Sequence, residues 1–128
     1  MENMEILLVE DNAGDAVLIR QILADTAVPV NLHIVRDGEQ ALTILSDAHF
    51  RPELIILDLN NSSVQPLELI AKLKSDDDLR HISLIGYLSH VQGELKQKAQ
   101  EAGANIVMAR SAFSQNLPQI LKRHAGVR

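Results

Sequence analysis

The run Leu54-Ile55-Ile56-Leu57 constrains this chain more than any other stretch. Four apolar residues without polar alternation describe a strand buried on both faces. The run closes on Asp58, followed at once by Leu59, Asn60, Asn61, Ser62 and Ser63. A fully apolar strand thus leaves the core and presents an acid at its carboxyl end, where open parallel sheets place their ligands. Taken alone, Asp58 could equally begin the following turn, because Asp and Asn favour turns through local hydrogen bonds.

A second all-apolar run, residues 6–9, ends in two adjacent acids, Glu10 and Asp11. Asn12 offers a helix cap with Asp15 as its partner three residues on, and Ala16, Ile19 and Leu23, flanked by Ile22, form an apolar stripe. Val28-Pro29-Val30 marks a turn, and residues 31–35 alternate enough to predict a more exposed strand near a sheet edge. Asp37 caps the next helix with Gln40 as reciprocal partner, and Ala41, Leu42, Ile44 and Leu45 supply its buried face. Residues 46–52 read as loop. After the central strand, Pro66 suits a first helical turn, and Leu67, Ile70 and Leu73 follow at helical spacing. The acidic stretch 75–78 reads as a solvated end of that helix rather than a metal site.

Residues 82–87 predict a fourth strand, in which Gly86 signals close backbone approach. Ser89 with Gln92 resembles a capping box, Val91, Leu95, Ala99 and Ala102 give a narrow stripe, and Gly103 is the stop. Residues 106–109 form the fifth strand, ending at Arg110. Leu117, Ile120 and Leu121 mark the last helix, with Pro118 expected in its first turn.

Strands alternating with helices imply a parallel sheet covered on both faces with right-handed crossovers. The expected fold class is α/β: a flavodoxin-like (βα)5 doubly wound parallel sheet, strand order 2-1-3-4-5, in three α/β/α layers. A single domain spans residues 1–128. In that order the first and third strands are neighbours at the switch point, so Glu10, Asp11 and Asp58 are expected to converge in one crevice.

Composition narrows the partners. A net charge of −5 argues against a nucleic-acid backbone, and two Phe, one Tyr and no Trp offer no platform for stacked bases. Without Cys there are neither disulfides nor thiolate metal sites. The apolar run 6–9 is too short for a signal peptide or membrane span, so a cytoplasmic protein with no membrane partner is expected. The five His show no close pairing typical of metal ligands.

Three carboxylates within a few ångströms cannot all stay ionised without a compensating charge. Mg2+, which prefers oxygen ligands and keeps some positions for water or phosphate oxygens, is the natural remedy. Asp58 could then attack a phosphoryl group as a nucleophile and form an acyl phosphate.

Over its whole length the chain resembles a two-component response regulator receiver domain. The resemblance is carried by Glu10-Asp11, by Asp58-Leu59-Asn60 and by Ala102-Gly103-Ala104. The segment Val9-Glu10-Asp11-Asn12-Ala13-Gly14-Asp15-Ala16 is similar to the opening of the phytochrome-associated, single-domain subgroup. The resemblance implies that Asp58 accepts phosphate from a histidine kinase or phosphotransfer protein. It also implies that Glu10, Asp11 and Asp58 hold Mg2+, completed by the Asn60 backbone carbonyl.

Three positions depart from the family pattern. Where the family places a Ser or Thr at the end of the fourth strand, this chain has Leu88, with Ser89 one residue on; Ser89 could substitute only if the strand end bulges, and its rival role is helix cap. The family Lys after the fifth strand is Arg110, for which two roles are open: binding phosphate, or pairing with Asp58 at rest. The aromatic switch position holds Val107.

Two readings follow. The first is a phosphorylatable receiver that is no enzyme in its own right; with no output domain expected after the last helix, it signals by docking a downstream protein or a second copy of itself. The alternative is a pseudo-receiver, a phosphorylation-independent docking or dimerisation module, favoured by Leu88 and opposed by the retained acids. A phosphohydrolase would need a general acid two residues after Asp58, where Asn60 stands, and no Gly-rich phosphate loop is present.

Overall fold

The computed structural model describes residues 4–25, 29–60, 65–88 and 93–127, with side chains as far as Lys122. Strands and helices alternate: β1 (Met4–Val9), α1 (Ala13–Ala24), β2 (Val30–Val35), α2 (Gly38–Leu45), β3 (Leu54–Asp58), α3 (Pro66–Ser75), β4 (Ser83–Leu88), α4 (Gly93–Ala102), β5 (Ile106–Ala109) and α5 (Arg110–Val127). The strands pair in parallel in the order β2-β1-β3-β4-β5, the flavodoxin-like order that the alternation predicts.

Side-chain alternation along each strand divides the core in two. Leu7 and Val9 of β1, with Ile55 and Leu57 of β3, pack against Ala41 and Leu45 of α2, Leu69, Ile70 and Leu73 of α3, and Ala99 of α4. Ile6 and Leu8 of β1, with Leu54 and Ile56 of β3, pack against Ala16, Ile19 and Leu23 of α1 and Phe113, Leu117 and Leu121 of α5. Both faces of β3 are covered, so its run needs no polar alternation; each such side chain contributes about 2 kcal/mol through burial. In edge strand β2 only Val35 is buried.

Local signals act as expected at most boundaries. Asn12 Oδ1 accepts the Asp15 N–H at 3.0 Å, and Asp37 Oδ1 accepts the Gln40 N–H at 2.8 Å. The Gln40 side chain reaches the Arg36 N–H (2.8 Å) rather than closing a reciprocal box on Asp37. Pro66 opens α3, and Gly103, at φ +125, ends α4 where a side chain would be strained and would meet Lys74 Cγ at 2.6 Å. A Cβ at Gly86 would lie 2.7 Å from Leu59 Cδ1, which is the close approach this glycine signals.

The last helix departs from expectation. It starts at Arg110, directly after β5, so Pro118 lies in its interior rather than in its first turn. Proline has no N–H to donate to the carbonyl four residues back. The apolar positions from 117 onward hid an earlier start, whose first buried residue is Phe113. Strand β4 also runs one residue later than expected, through Leu88. The expected turn at Val28, the polar residues Ser62 and Ser63, and the cap formed by Ser89 and Gln92 with neighbouring Val91 lie outside the described residues.

Candidate functional site

The strand register builds the site. β1 and β3 are in step through Val9 and Leu57, and β3 and β4 through Asp58 and Tyr87. One rung beyond Val9, Glu10 keeps the ladder going by donating its N–H to the Val35 carbonyl at 2.9 Å. Glu10, Asp58 and Tyr87 therefore form a row across the carboxyl rim of three adjacent strands. Alternation sends all three toward α1 and α5, since Leu8, Ile56 and Ile85, two residues earlier in each strand, face that side.

Glu10 and Asp58 are the two buried charged residues among the described ones, at 2% and 7% exposure. Tyr87 donates its hydroxyl to Glu10 Oε1, and the Asn12 N–H donates to Glu10 Oε2 at 3.2 Å. The Asn60 N–H donates to Asp58 Oδ1 at 2.9 Å, which fixes the carboxylate at the strand end. Burial pushes the Glu10 carboxyl up to about 7, opposed by the Tyr87 and Asn12 hydrogen bonds and reinforced by the charge of and a hydrogen bond to Asp58. Burial, then the bond to Glu10, drives the Tyr87 phenol far above its ordinary range and keeps it neutral.

Asp11 does not join this pair. Neighbouring residues on extended chain point to opposite sides, and Asp11 lies exposed with Oδ1 3.7 Å from Arg36 Nη2. Among the described residues no three His, Cys, Asp or Glu side chains gather around one metal-sized point. The expected convergence of three acids is thus corrected to a convergence of two, with the third at the mouth. A cleft of about 390 Å³ opens beside them, lined by Glu10, Asp11, Arg20 and Arg36 among others. Two adjacent carboxyl groups with an all-oxygen donor set fit a hard divalent cation. Such an ion would offset the burial of the Glu10 charge, which is the main cause of its shift, and the smaller repulsion from Asp58.

The altered positions sort by face. Leu88 and Val107 are buried on the opposite side of the sheet, in the core of α2, α3 and α4. Neither can present a polar atom to Asp58. Ser89 lies outside the described residues. Arg110 does not pair with Asp58: its Nη2 donates to Asp15 Oδ2 at 2.9 Å, and its guanidinium lies 5.9 Å from the Tyr87 ring centroid. Asp15, expected as a capping partner, turns its carboxylate to that guanidinium instead. Sequence reasoning passed over Tyr87 altogether. The available signal was its place: the only tyrosine in the chain, at the end of an apolar strand, where a buried hydroxyl needs a partner.

Comparison with known proteins agrees with this geometry. Residues 6–122 match the response regulator receiver domain family. The response regulator Rcp1 of Synechocystis sp. is 29% identical over 127 residues, covering 95% of this chain and 84% of Rcp1. The crystal structure of the phosphorylated cyanobacterial phytochrome response regulator RcpA is 33% identical with a TM-score of 0.80, covering 95% of this chain and 91% of that one. The receiver domain of a sensor histidine kinase from Pseudomonas aeruginosa, with magnesium coordinated in its active-site cleft, is 25% identical with a TM-score of 0.81, covering 98% of this chain and 99% of that one. With its strand order, its rim of acids and a match over nearly its whole length, the chain belongs to the response regulator receiver family of two-component signalling.

Proposed function

We propose that this receiver is a phosphoacceptor rather than an enzyme, that Asp58 takes the phosphoryl group, and that Glu10, Asp11, Asp58 and the Asn60 carbonyl hold Mg2+. The observation that carries this reading is the burial of Glu10 beside Asp58. Two adjacent buried acids cost stability, and a docking-only module has no use for them. They therefore weigh against the pseudo-receiver alternative.

In the proposed reaction an Asp58 oxygen attacks the phosphorus of a phosphohistidine on a histidine kinase or phosphotransfer protein. The new O–P bond forms as the N–P bond breaks, and the leaving imidazole keeps the electron pair and takes up a proton. Asn60 N–H orients the carboxylate for this attack. Bound Mg2+ would supply charge neutralisation for the phosphoryl oxygens. Asp11 stands at the mouth of the site in an exposed pair with Arg36, worth under about 1 kcal/mol, which a cation can displace. The phosphorylated form would signal by docking a downstream protein or a second copy of the chain, with no nucleic acid as target. Such a reading places the protein in the cytoplasm; no helix among the described residues is long and apolar enough to cross a membrane.

The test is incubation with acetyl phosphate and Mg2+, followed by intact-mass measurement. A mass gain of one phosphoryl group, absent in Asp58→Asn and abolished by EDTA, supports the reading. No gain at millimolar Mg2+ rejects it in favour of the docking module.

A further inference from the structure

Leu88 and Val107 leave the acid pair without the hydroxyl and the aromatic ring that its family resemblance implies at those positions, yet a hydroxyl and a ring are present one residue away. Tyr87 sits in the same rung as Asp58 and donates its hydroxyl to Glu10. Its ring stacks on Phe113 of α5, with centroids 5.2 Å apart and planes 19° from parallel. Arg110, one turn before Phe113 on the same helix, covers the ring and reaches across to Asp15 of α1.

A single side chain therefore touches the acid pair at one end and both α5 contacts at the other. The surroundings are incompletely satisfied in the present arrangement. Arg110 Nε is buried without a hydrogen-bond partner, and a void of about 10 Å³ lies between Asp15, Ile19, Tyr87, Arg110 and Phe113. Packed cores respond to such local changes by switching between discrete arrangements rather than by deforming smoothly.

We propose that Tyr87 is a positioning residue that couples the acid pair to helix α5: its hydroxyl holds Glu10 at rest, and when Glu10 takes another partner, Tyr87, Phe113 and the Arg110–Asp15 pair repack together. The coupling rests on the reading of the acid pair as a cation and phosphoryl site. It directs the output to the face formed by α1 and α5, because that is where the contacts of Tyr87 end.

Tyr87 is the sole tyrosine, there is no tryptophan, and Phe113 is one of two phenylalanines, so each group reports individually. The experiment follows tyrosine emission and the Phe113 ring and Arg110 Nε resonances while Mg2+ and then beryllofluoride are added, with 19F resonances reporting uptake. In the wild type all three signals shift together at the concentrations that fill the site. In Tyr87→Phe, which keeps the ring, 19F uptake persists while the Phe113 and Arg110 shifts are lost. Uptake with those shifts intact in Tyr87→Phe overturns the coupling; so does loss of uptake, which would make the hydroxyl part of the site rather than a relay. If the wild type takes up no beryllofluoride, the phosphoryl reading fails, and the coupling is then decided in the unloaded protein by Glu10→Gln. A shift of tyrosine emission and of the Phe113 resonances in that variant upholds the contact chain, and unchanged signals overturn it.

Discussion

Arg110 Nη2 lies 2.9 Å from Asp15 Oδ2, bridging α1 and α5 across 95 residues of chain. The same side chain could have run to Asp58, the acid that its place after β5 makes the obvious partner. Arg110 follows Ile106 and Met108, which both look toward α1 and α5, the face that Asp58 also shares, and on that face its guanidinium runs to the acid of α1. Among the described residues the acid pair has no ion pair to a protein cation, and its charge is relieved by a raised Glu10 and a tyrosine hydroxyl.

A double-mutant cycle with Arg110→Gln and Asp15→Asn measures that bridge. Side-chain exposures of 35% and 20% place the pair between surface and core, so a coupling of about 1 kcal/mol is expected. Chemical denaturation of the four proteins gives the number, and additive losses would show that the two groups do not interact.

Glu10 makes the stability of the metal-free protein fall with rising pH. Its carboxyl titrates near 7 when folded, against about 4.5 when unfolded, so between those values the folded state holds the extra proton. The stabilisation is complete below pH 4.5 and is lost as pH rises through 7, by on the order of 2–3 kcal/mol. Glu5 works in the opposite sense, since bonds from Asn31 and His33 lower its carboxyl. The measurement is therefore the difference between wild type and Glu10→Gln in urea melts from pH 4.5 to 8, which should narrow toward acid pH and widen in favour of the variant above 7.

Asp58→Asn should fold and be at least as stable as the wild type at pH 7.5. The amide keeps an oxygen to accept the Asn60 N–H and removes the charge beside Glu10. A thermal midpoint lowered by the equivalent of more than about 1 kcal/mol would contradict the pairing of these acids.

Gly86→Ala should destabilise by about 1–3 kcal/mol, because the new methyl enters the space held by Leu59. Leu59→Ala combined with it should recover part of that loss, since the two side chains compete for one volume. If the single variant melts with the wild type, the packing of Leu59 over β4 is looser than the 2.7 Å between a Cβ at position 86 and Leu59 Cδ1 implies.

Much of this architecture was legible because the residues that build it act locally. The runs at 6–9 and 54–57 need cover on both faces, and that need alone places helices on both sides of a parallel sheet. Acids at the ends of two such runs mark the rim. Strand parity, carried past the end of β1, could have set Glu10 inward and Asp11 outward, but the two read as a unit in the family pattern. The Arg110–Asp15 bridge was not legible, because it depends on how two helices meet. Phe113 and the early start of α5 were hidden by Pro118, which imitates a first-turn proline beside the apolar positions that follow it.

The junction between β5 and α5 has a mechanical meaning. Ala109 ends the strand and Arg110 begins the helix, with no intervening residue to take up slack. A tilt of α5 is therefore taken up at the junction itself or passed to the edge of the sheet. The end of the described chain is thus geared to the sheet like a crank to its shaft.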